Sequence, residues 1–140
     1  MEGNFFLKPN GVFLVRDGKA EVVDTADYQT SMGVTYAVQS GPLLLKNGKT
    51  HPVFKGAQSS GFIGTVWEVR KDRTVVLVIT EFRQEKYPTL HDFAELFRSL
   101  GCEDALYLDG VISLMRGAAD LTKKGNPFAS MIAVVAENDQ

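Results

Sequence analysis

Short apolar segments separated by turn-forming residues occupy most of the first 80 positions of the chain. Four of them precede residue 46, at residues 12–15, 20–23, 36–39 and 43–45. Asp17-Gly18 separates the first two, and an Asp-Gly pair there predicts a β-hairpin, because a type I′ turn requires positive φ at both central residues. Asn47-Gly48 marks a second turn. The pattern predicts β-strands joined by tight turns.

Two longer apolar segments follow, at residues 62–69 and 74–80, on either side of a charged turn. Residues 75–79 are apolar at every position, which predicts a central strand covered on both faces rather than an edge strand. Their β-branched side chains favour a strand over a buried helix. Two further apolar segments, at residues 105–108 and 130–136, are predicted to be the last strands.

A helix is predicted over residues 89–100. One apolar stripe at helical spacing supports it, formed by Leu90, Phe93, Leu96, Phe97 and Leu100. Thr89 is placed to cap the helix, with Asp92 three residues later in a capping-box arrangement. Gly101 is placed to end it. Because strands outnumber helices and mostly precede this one, we predict an α+β fold, a mixed, strand-rich sheet with one main helix packed on it.

The size and charge of the chain narrow the possible partners. Its 140 residues suit one domain over residues 1–140. A net charge of -2 argues against a nucleic-acid partner, which requires a basic face. No apolar stretch is long enough to span a membrane, and the chain begins without the pattern of a signal peptide. Cys102 is the single cysteine, so no internal disulfide can form, and we expect it to serve packing.

The end of the strand at residues 105–108 is the strongest candidate for chemistry. Asp109 and Gly110 follow it directly, so a carboxylate stands beside a residue that lets a ligand approach the backbone closely. Ser113 could donate a hydrogen bond to the same site. The alternative is a structural turn in which Asp109 bonds its own backbone.

Further polar residues have weaker signals. Glu81 and Arg83 follow the apolar segment at residues 74–80. They could belong to a functional site, or they could form a surface ion pair that contributes little to stability. His51 could line a site or be an ordinary loop histidine. No set of Cys and His predicts zinc. Asp109 with backbone carbonyls could hold Ca²⁺ or Mg²⁺ only weakly, so we predict no cofactor.

The order of motifs along the chain is specific. The later ones are Thr89-Leu90, residues 93–97 (Phe-Ala-Glu-Leu-Phe), Leu100-Gly101-Cys102 and residues 105–110 (Ala-Leu-Tyr-Leu-Asp-Gly). Earlier come a Gly-Pro turn at residues 40–43 and Asn47-Gly48. Together they resemble the signatures of phosphodiester glycosidase domains. Residues 3–13 also resemble the opening of a bacterial branch of this family, so the resemblance covers nearly the whole chain.

The resemblance implies a hydrolase that cleaves a glycosidic bond to a phosphodiester-linked or otherwise anionic sugar. We predict Asp109 as its essential carboxylate and Glu81 as the second catalytic group. The residues expected to bind the substrate, a small sugar phosphodiester or glycan, are Gly41, Pro42, His51, Arg83, Thr89, Gly110 and Ser113. The resemblance also implies an exported or periplasmic location.

Three departures from the family pattern support alternatives. Val111-Ile112 stand where many members have glycines, and residues 59–64 lack an arginine, which can hold a phosphate through two parallel hydrogen bonds. The early Asn-Gly-Gly strand of the family has no match, so we expect N-terminal strands to be missing. One alternative is a carbohydrate- or anion-binding module that has lost catalysis. Another is a homodimer, in which a second copy completes the sheet.

Overall fold

A computed structural model describes residues 10–29, 33–54, 65–70, 72, 74–81, 85–110, 114–117 and 131–135. Its strands are β1 (Gly11–Arg16), β2 (Lys19–Asp24), β3 (Val34–Ser40), β4 (Leu43–Lys46), β5 (Lys49–Thr50), β6 (Thr65–Arg70), β7 (Val75–Ile79) and β8 (Cys102–Asp109). The helix α1 (Leu90–Ser99) precedes β8, and a 3₁₀ turn covers Pro52–Phe54. Within those ranges no helix has the length and apolar character needed to cross a bilayer.

The described strands form two sheets. The first has three strands in the order β2-β1-β3, and the second has five in the order β5-β4-β8-β6-β7. Every pairing among them is antiparallel. The α+β prediction therefore holds at the level of a strand-rich fold with one described helix, but the single mixed sheet was wrong. Strands that a short turn connects, such as β1 and β2 or β4 and β5, must pair in antiparallel orientation, because a parallel pair needs a longer crossover connection.

Both tight turns are confirmed. Asp17 and Gly18 have φ of 50° and 71° between β1 and β2, and Asn47 and Gly48 have 51° and 70° between β4 and β5. These values lie in the left-handed region that a type I′ turn requires. The local sequence thus fixes two hairpins, one in each sheet.

The chain folds in three layers, with the five-stranded sheet in the middle. On one face α1 buries Leu90, Phe93, Ala94 and Phe97 against that sheet, where Leu44, Leu45 and Ala105 have no exposed surface. Leu96 and Leu100, which the sequence analysis placed in the same stripe, are exposed. On the other face, Phe13 and Val22 of the three-stranded sheet pack against Leu43 and Leu106. Strand β8 contributes side chains to both layers, and it is the middle strand of the five described in this sheet.

Strand β7 is covered on both faces but lies at an edge of the sheet. Val76 and Val78 pack towards the helix layer, and Leu77 packs towards the three-stranded sheet. Its only strand partner in the described part is β6. The prediction of two covered faces is confirmed, and among the described strands β7 does not have the predicted central position. Apolar residues on both faces report the layers above and below a strand, not its lateral neighbours.

Residues 131–135, expected to form the last strand, are in neither a helix nor a strand in the structure. All five are exposed, with Val134 at 85% and Val135 at 86%. The strand prediction for these residues was therefore wrong for this chain. Their composition favours a strand, but a strand also requires a partner edge, which the sequence pattern does not supply.

Candidate functional site

The candidate site is built from the end of β8. Ala105 and Leu106 have no exposed surface, so this strand is anchored in the middle of the molecule. Asp109 is its last residue, and Gly110 follows it. Because the buried part of β8 fixes the backbone, it delivers Asp109 to a defined place at the end of the sheet. We call this the Asp109 end.

Two neighbouring strands have their ends at the same level. Thr65, the first residue of β6, pairs with Asp109 on one side and with Ile79, the last residue of β7, on the other. Glu81 lies two residues beyond Ile79 and is exposed. With strands about 4.8 Å apart, the backbones of Ile79 and Asp109 are separated by two spacings, roughly 9.6 Å. The chain therefore leaves β7 for Glu81 at the Asp109 end.

On the other side of β8, the turn between β3 and β4 contacts the same strand. The Ser40 hydroxyl donates a hydrogen bond to the carbonyl of Leu108 at 2.7 Å, and the backbone N–H of Tyr107 donates one to the carbonyl of Pro42 at 3.1 Å. The peptide bond between Gly41 and Pro42 is cis. The two hydrogen bonds hold Gly41 and Pro42, which the sequence analysis predicted to bind substrate, beside the last residues of β8.

Ser40 is a positioning residue that the sequence analysis missed. Its side chain ties the β3–β4 turn to a residue 68 positions later in the chain. The one available signal was its place directly before the Gly-Pro turn, and serine is common beside turns for local reasons. A contact with Leu108 could not be read from that pattern, because it depends on how β4 and β8 pair.

The helix begins at the capping box that the sequence predicted. The backbone N–H of Asp92 donates to the Thr89 hydroxyl oxygen at 3.1 Å, and the Thr89 backbone N–H donates to the Asp92 carboxylate at 2.8 Å. The hydrogen bonds from Thr89 hold the pKa of Asp92 below its usual value. The Thr89 hydroxyl also donates a hydrogen bond to the Asp92 carboxylate, so both of its hydrogen bonds stabilise the start of the helix. Contact between Thr89 and a substrate stays a prediction.

His51 lies two strands away from β8. Its backbone N–H donates to the carbonyl of Leu44 at 2.9 Å, and its ring lies 5.6 Å from that of Phe54. This places His51 beside the β5 edge and partly against the helix-side core. The predictions for Arg83 and Ser113 lie outside the described residues. Among the described residues, no three His, Cys, Asp or Glu side chains come together as a metal site would require.

A cavity of about 540 Å³ lies at the other end of the five-stranded sheet. Its walls include Asn47 after β4, Arg70 at the end of β6 and Asp104 near the start of β8. Burial raises the pKa of the Asp104 carboxyl, which accepts a hydrogen bond from the Asn47 backbone N–H at 3.0 Å. None of the predicted site residues that the structure describes lines this cavity. This cavity therefore lies away from the end where the sequence motifs converge, and it is those motifs that carry the specific chemistry of a site.

Comparison with known proteins agrees with the family resemblance of the sequence motifs. The family model for phosphodiester glycosidases matches residues 2–135. The chain belongs to the phosphodiester glycosidase family. Uncharacterized protein YigE of Escherichia coli (strain K12) is 35% identical over 136 residues, which cover 95% of this chain and 52% of YigE. The chain thus spans about half the length of that curated relative.

A solved structure shares the fold of this chain. It is the catalytic domain of zebrafish N-acetylglucosamine-1-phosphodiester alpha-N-acetylglucosaminidase, auto-inhibited by its pro-peptide. The two match with a TM-score of 0.57 and 16% sequence identity, over 75% of this chain and 41% of the zebrafish chain. At this identity the likeness shows a common fold.

Proposed function

We propose that the chain is a phosphodiester glycosidase-type hydrolase in which Asp109 is the essential carboxylate. The substrate class is a sugar joined through its anomeric carbon to a phosphodiester or another anionic group. Water adds across the bond between the anomeric carbon and its oxygen: the hydroxyl goes to the sugar, and the remaining proton goes to the departing phosphate or to the solvent. Membership of the family supports the reaction type.

One observation carries the choice of Asp109. The strand end that delivers it meets the β3–β4 turn on one side, through the Ser40 and Pro42 hydrogen bonds, and β6 on the other. Motifs that are far apart in the chain thus share one end of the sheet.

Glu81 is the proposed second carboxyl group. Glycoside cleavage usually employs two carboxyl groups, one near the leaving oxygen and one that acts as a nucleophile or activates water. A phosphate leaving group lowers the demand for a strong acid, because its oxygen carries negative charge without protonation at neutral pH. Glu81 emerges from β7 two residues after Ile79, on the strand next but one to β8. Glu81 therefore follows a strand that ends at the same end of the sheet as Asp109.

The test is Asp109→Asn assayed on the methyl phosphodiester of N-acetylglucosamine 1-phosphate, with released sugar measured at its reducing end. We expect kcat/KM to fall by about 10³-fold or more, since loss of a group acting in the transition state lowers the rate directly. Circular dichroism should show an unchanged fold. Asp27→Asn is the matched control, because Asp27 forms an exposed ion pair with Lys46 away from the Asp109 end.

Two results would count against the proposal in different ways. Full activity in the Asp109→Asn protein would remove Asp109 from the mechanism while leaving the hydrolase in place. Saturable binding of the same sugar phosphodiester without any turnover by the unaltered chain would favour the alternative of a non-catalytic binding module. Isothermal titration of the unaltered chain supplies that second measurement.

A further inference from the structure

Strand β8 carries one extra residue directly before Asp109. In the pairing with β6, Tyr107 lies opposite Val66. Asp109, two positions further along β8, lies opposite Thr65, which is only one position away in β6. Leu108 therefore has no counterpart in β6, which is the arrangement of a β-bulge. A bulge bends its strand and is often found beside an active site, so the backbone position of Asp109 depends on how this bulge is held.

The Ser40 hydroxyl holds the bulge from the other side of β8. It donates a hydrogen bond to the Leu108 carbonyl at 2.7 Å, in a part-buried position. That carbonyl belongs to the same peptide group as the backbone nitrogen of Asp109, and a peptide group is planar and stiff. The hydrogen bond therefore fixes the plane of the peptide group that leads into Asp109.

Two other hydrogen bonds hold the β3–β4 turn itself. The backbone N–H of Leu43 donates to the side-chain oxygen of Asn10 at 2.7 Å. The backbone N–H of Tyr107 donates to the carbonyl of Pro42 at 3.1 Å. Because neither bond involves Ser40, the turn keeps both of these anchors when the Ser40 hydroxyl is removed.

We propose that Ser40 sets the geometry of Asp109 for the hydrolysis, by holding the bulge of β8 through the Leu108 carbonyl. This role rests on the proposed function, in which Asp109 is the essential carboxylate. Ser40 acts through the peptide group before Asp109 and not through the substrate. A misplacement of about 1 Å can lower a rate about 10²-fold, so loss of the hydroxyl acts on kcat. Binding by the turn changes little, because its two other anchors remain.

The kinetic test compares Ser40→Ala with Thr35→Ala on the methyl phosphodiester of N-acetylglucosamine 1-phosphate. In Ser40→Ala we expect kcat to fall by about 10- to 100-fold, with KM changed by less than about threefold. Thr35→Ala is the matched control. Thr35 is the extra residue where the register of β1 and β3 shifts, and its hydroxyl donates to the Val15 carbonyl at 3.1 Å. It lies at the opposite end of β3 from Ser40, so this variant should keep its kcat.

Nitrogen-15 relaxation measures the backbone of Asp109 without relying on activity. In Ser40→Ala the order parameter of the Asp109 amide should fall from a rigid value of about 0.85 to below about 0.6. In Thr35→Ala it should not change. Ser40→Thr keeps the hydroxyl, so this variant should retain both the order parameter and the kcat of the unaltered chain.

The outcomes separate this role of Ser40 from the proposed function. If the unaltered chain is active, an unchanged kcat in Ser40→Ala overturns the role. Equal losses in Ser40→Ala and Ser40→Thr also overturn it, since the hydroxyl would not be their cause. If the unaltered chain releases no sugar, the proposed function fails and the order parameter decides. An unchanged value at Asp109 then overturns the role of Ser40 in holding Asp109, and a fall in Ser40→Ala alone upholds it.

Discussion

The charge of one half-buried residue, Asp104, sets an energetic cost at the end of the sheet opposite Asp109. Burial raises the pKa of its carboxyl, so the folded state disfavours the charged form, although Asn47 donates a hydrogen bond to it. At pH 7 the carboxylate is charged both folded and unfolded, and folding bears this cost. We expect Asp104→Asn to raise the free energy of unfolding at pH 7, by less than about 1 kcal/mol because water screens a half-exposed group.

The effect of Asp104 on the free energy of unfolding depends on pH. As pH falls through the raised folded pKa, the carboxyl becomes neutral and the unfavourable contribution of Asp104 to the stability of the folded state disappears. Below the unfolded pKa, the acid and the amide are both neutral, so the difference between the variants should vanish. Thermal midpoints at pH 7 and pH 3 measure this. Asp27→Asn should show no stabilisation at pH 7, because its ion pair with Lys46 is exposed; an equal gain there would refute the burial argument.

At the scale of elements, the helix α1 depends on a cap whose members lie within four residues of each other. The Thr89 hydroxyl oxygen accepts the backbone N–H of Asp92, which otherwise has no partner within the helix. We expect Thr89→Ala to lower the free energy of unfolding by about 1 kcal/mol, the usual cost of losing a capping hydroxyl. Urea denaturation followed by circular dichroism measures the loss.

Thr89→Ser distinguishes the cap from other roles of Thr89. Serine keeps the hydroxyl, so stability should return to within a few tenths of a kcal/mol of the unaltered chain. If Thr89 serves only the helix, both variants should also keep their KM for the sugar phosphodiester once folded. A raised KM in Thr89→Ala at unchanged stability would instead assign the hydroxyl to the substrate, as the sequence analysis predicted.

At the scale of the whole molecule, the close contact between the two sheets limits the size of one residue. A Cβ atom on Gly11 of β1 would lie 2.3 Å from a methyl carbon of Leu106 in β8 and 3.3 Å from one of Leu43. Both leucines are buried, so they have little room to move. We expect Gly11→Ala to lower the free energy of unfolding by about 1–3 kcal/mol through overpacking.

Gly117→Ala is the control for this contact. A Cβ atom on Gly117 would meet nothing within 4 Å, so the same chemical change should be neutral or slightly stabilising. Thermal unfolding of both variants measures the difference. A Gly11→Ala protein as stable as Gly117→Ala would mean that the two sheets pack less closely than the structure has them.

Features set by neighbouring residues could be predicted from the sequence. The turns at Asp17-Gly18 and Asn47-Gly48 need backbone angles that these residue types adopt easily, and both are confirmed. The helix from Leu90 to Ser99 and its Thr89 cap are confirmed for the same reason, since capping and helical spacing act over three or four residues. Of the predicted stripe, Leu90, Phe93 and Phe97 are buried, whereas Leu96 and Leu100 are exposed. The strand that ends at Asp109 was predicted from a short apolar run with an Asp-Gly pair after it.

Features that depend on distant partners were decided by the tertiary structure. The sequence could not place β7 at an edge of the described sheet, divide the strands into two sheets or show that residues 131–135 form no strand, because strand pairing joins residues far apart in the chain. It also could not predict the Ser40 hydrogen bond to Leu108, which holds the β3–β4 turn beside β8. The sequence alone determined that a carboxylate stands at the end of a buried strand, whereas only the folded sheet determined which other strand ends surround it.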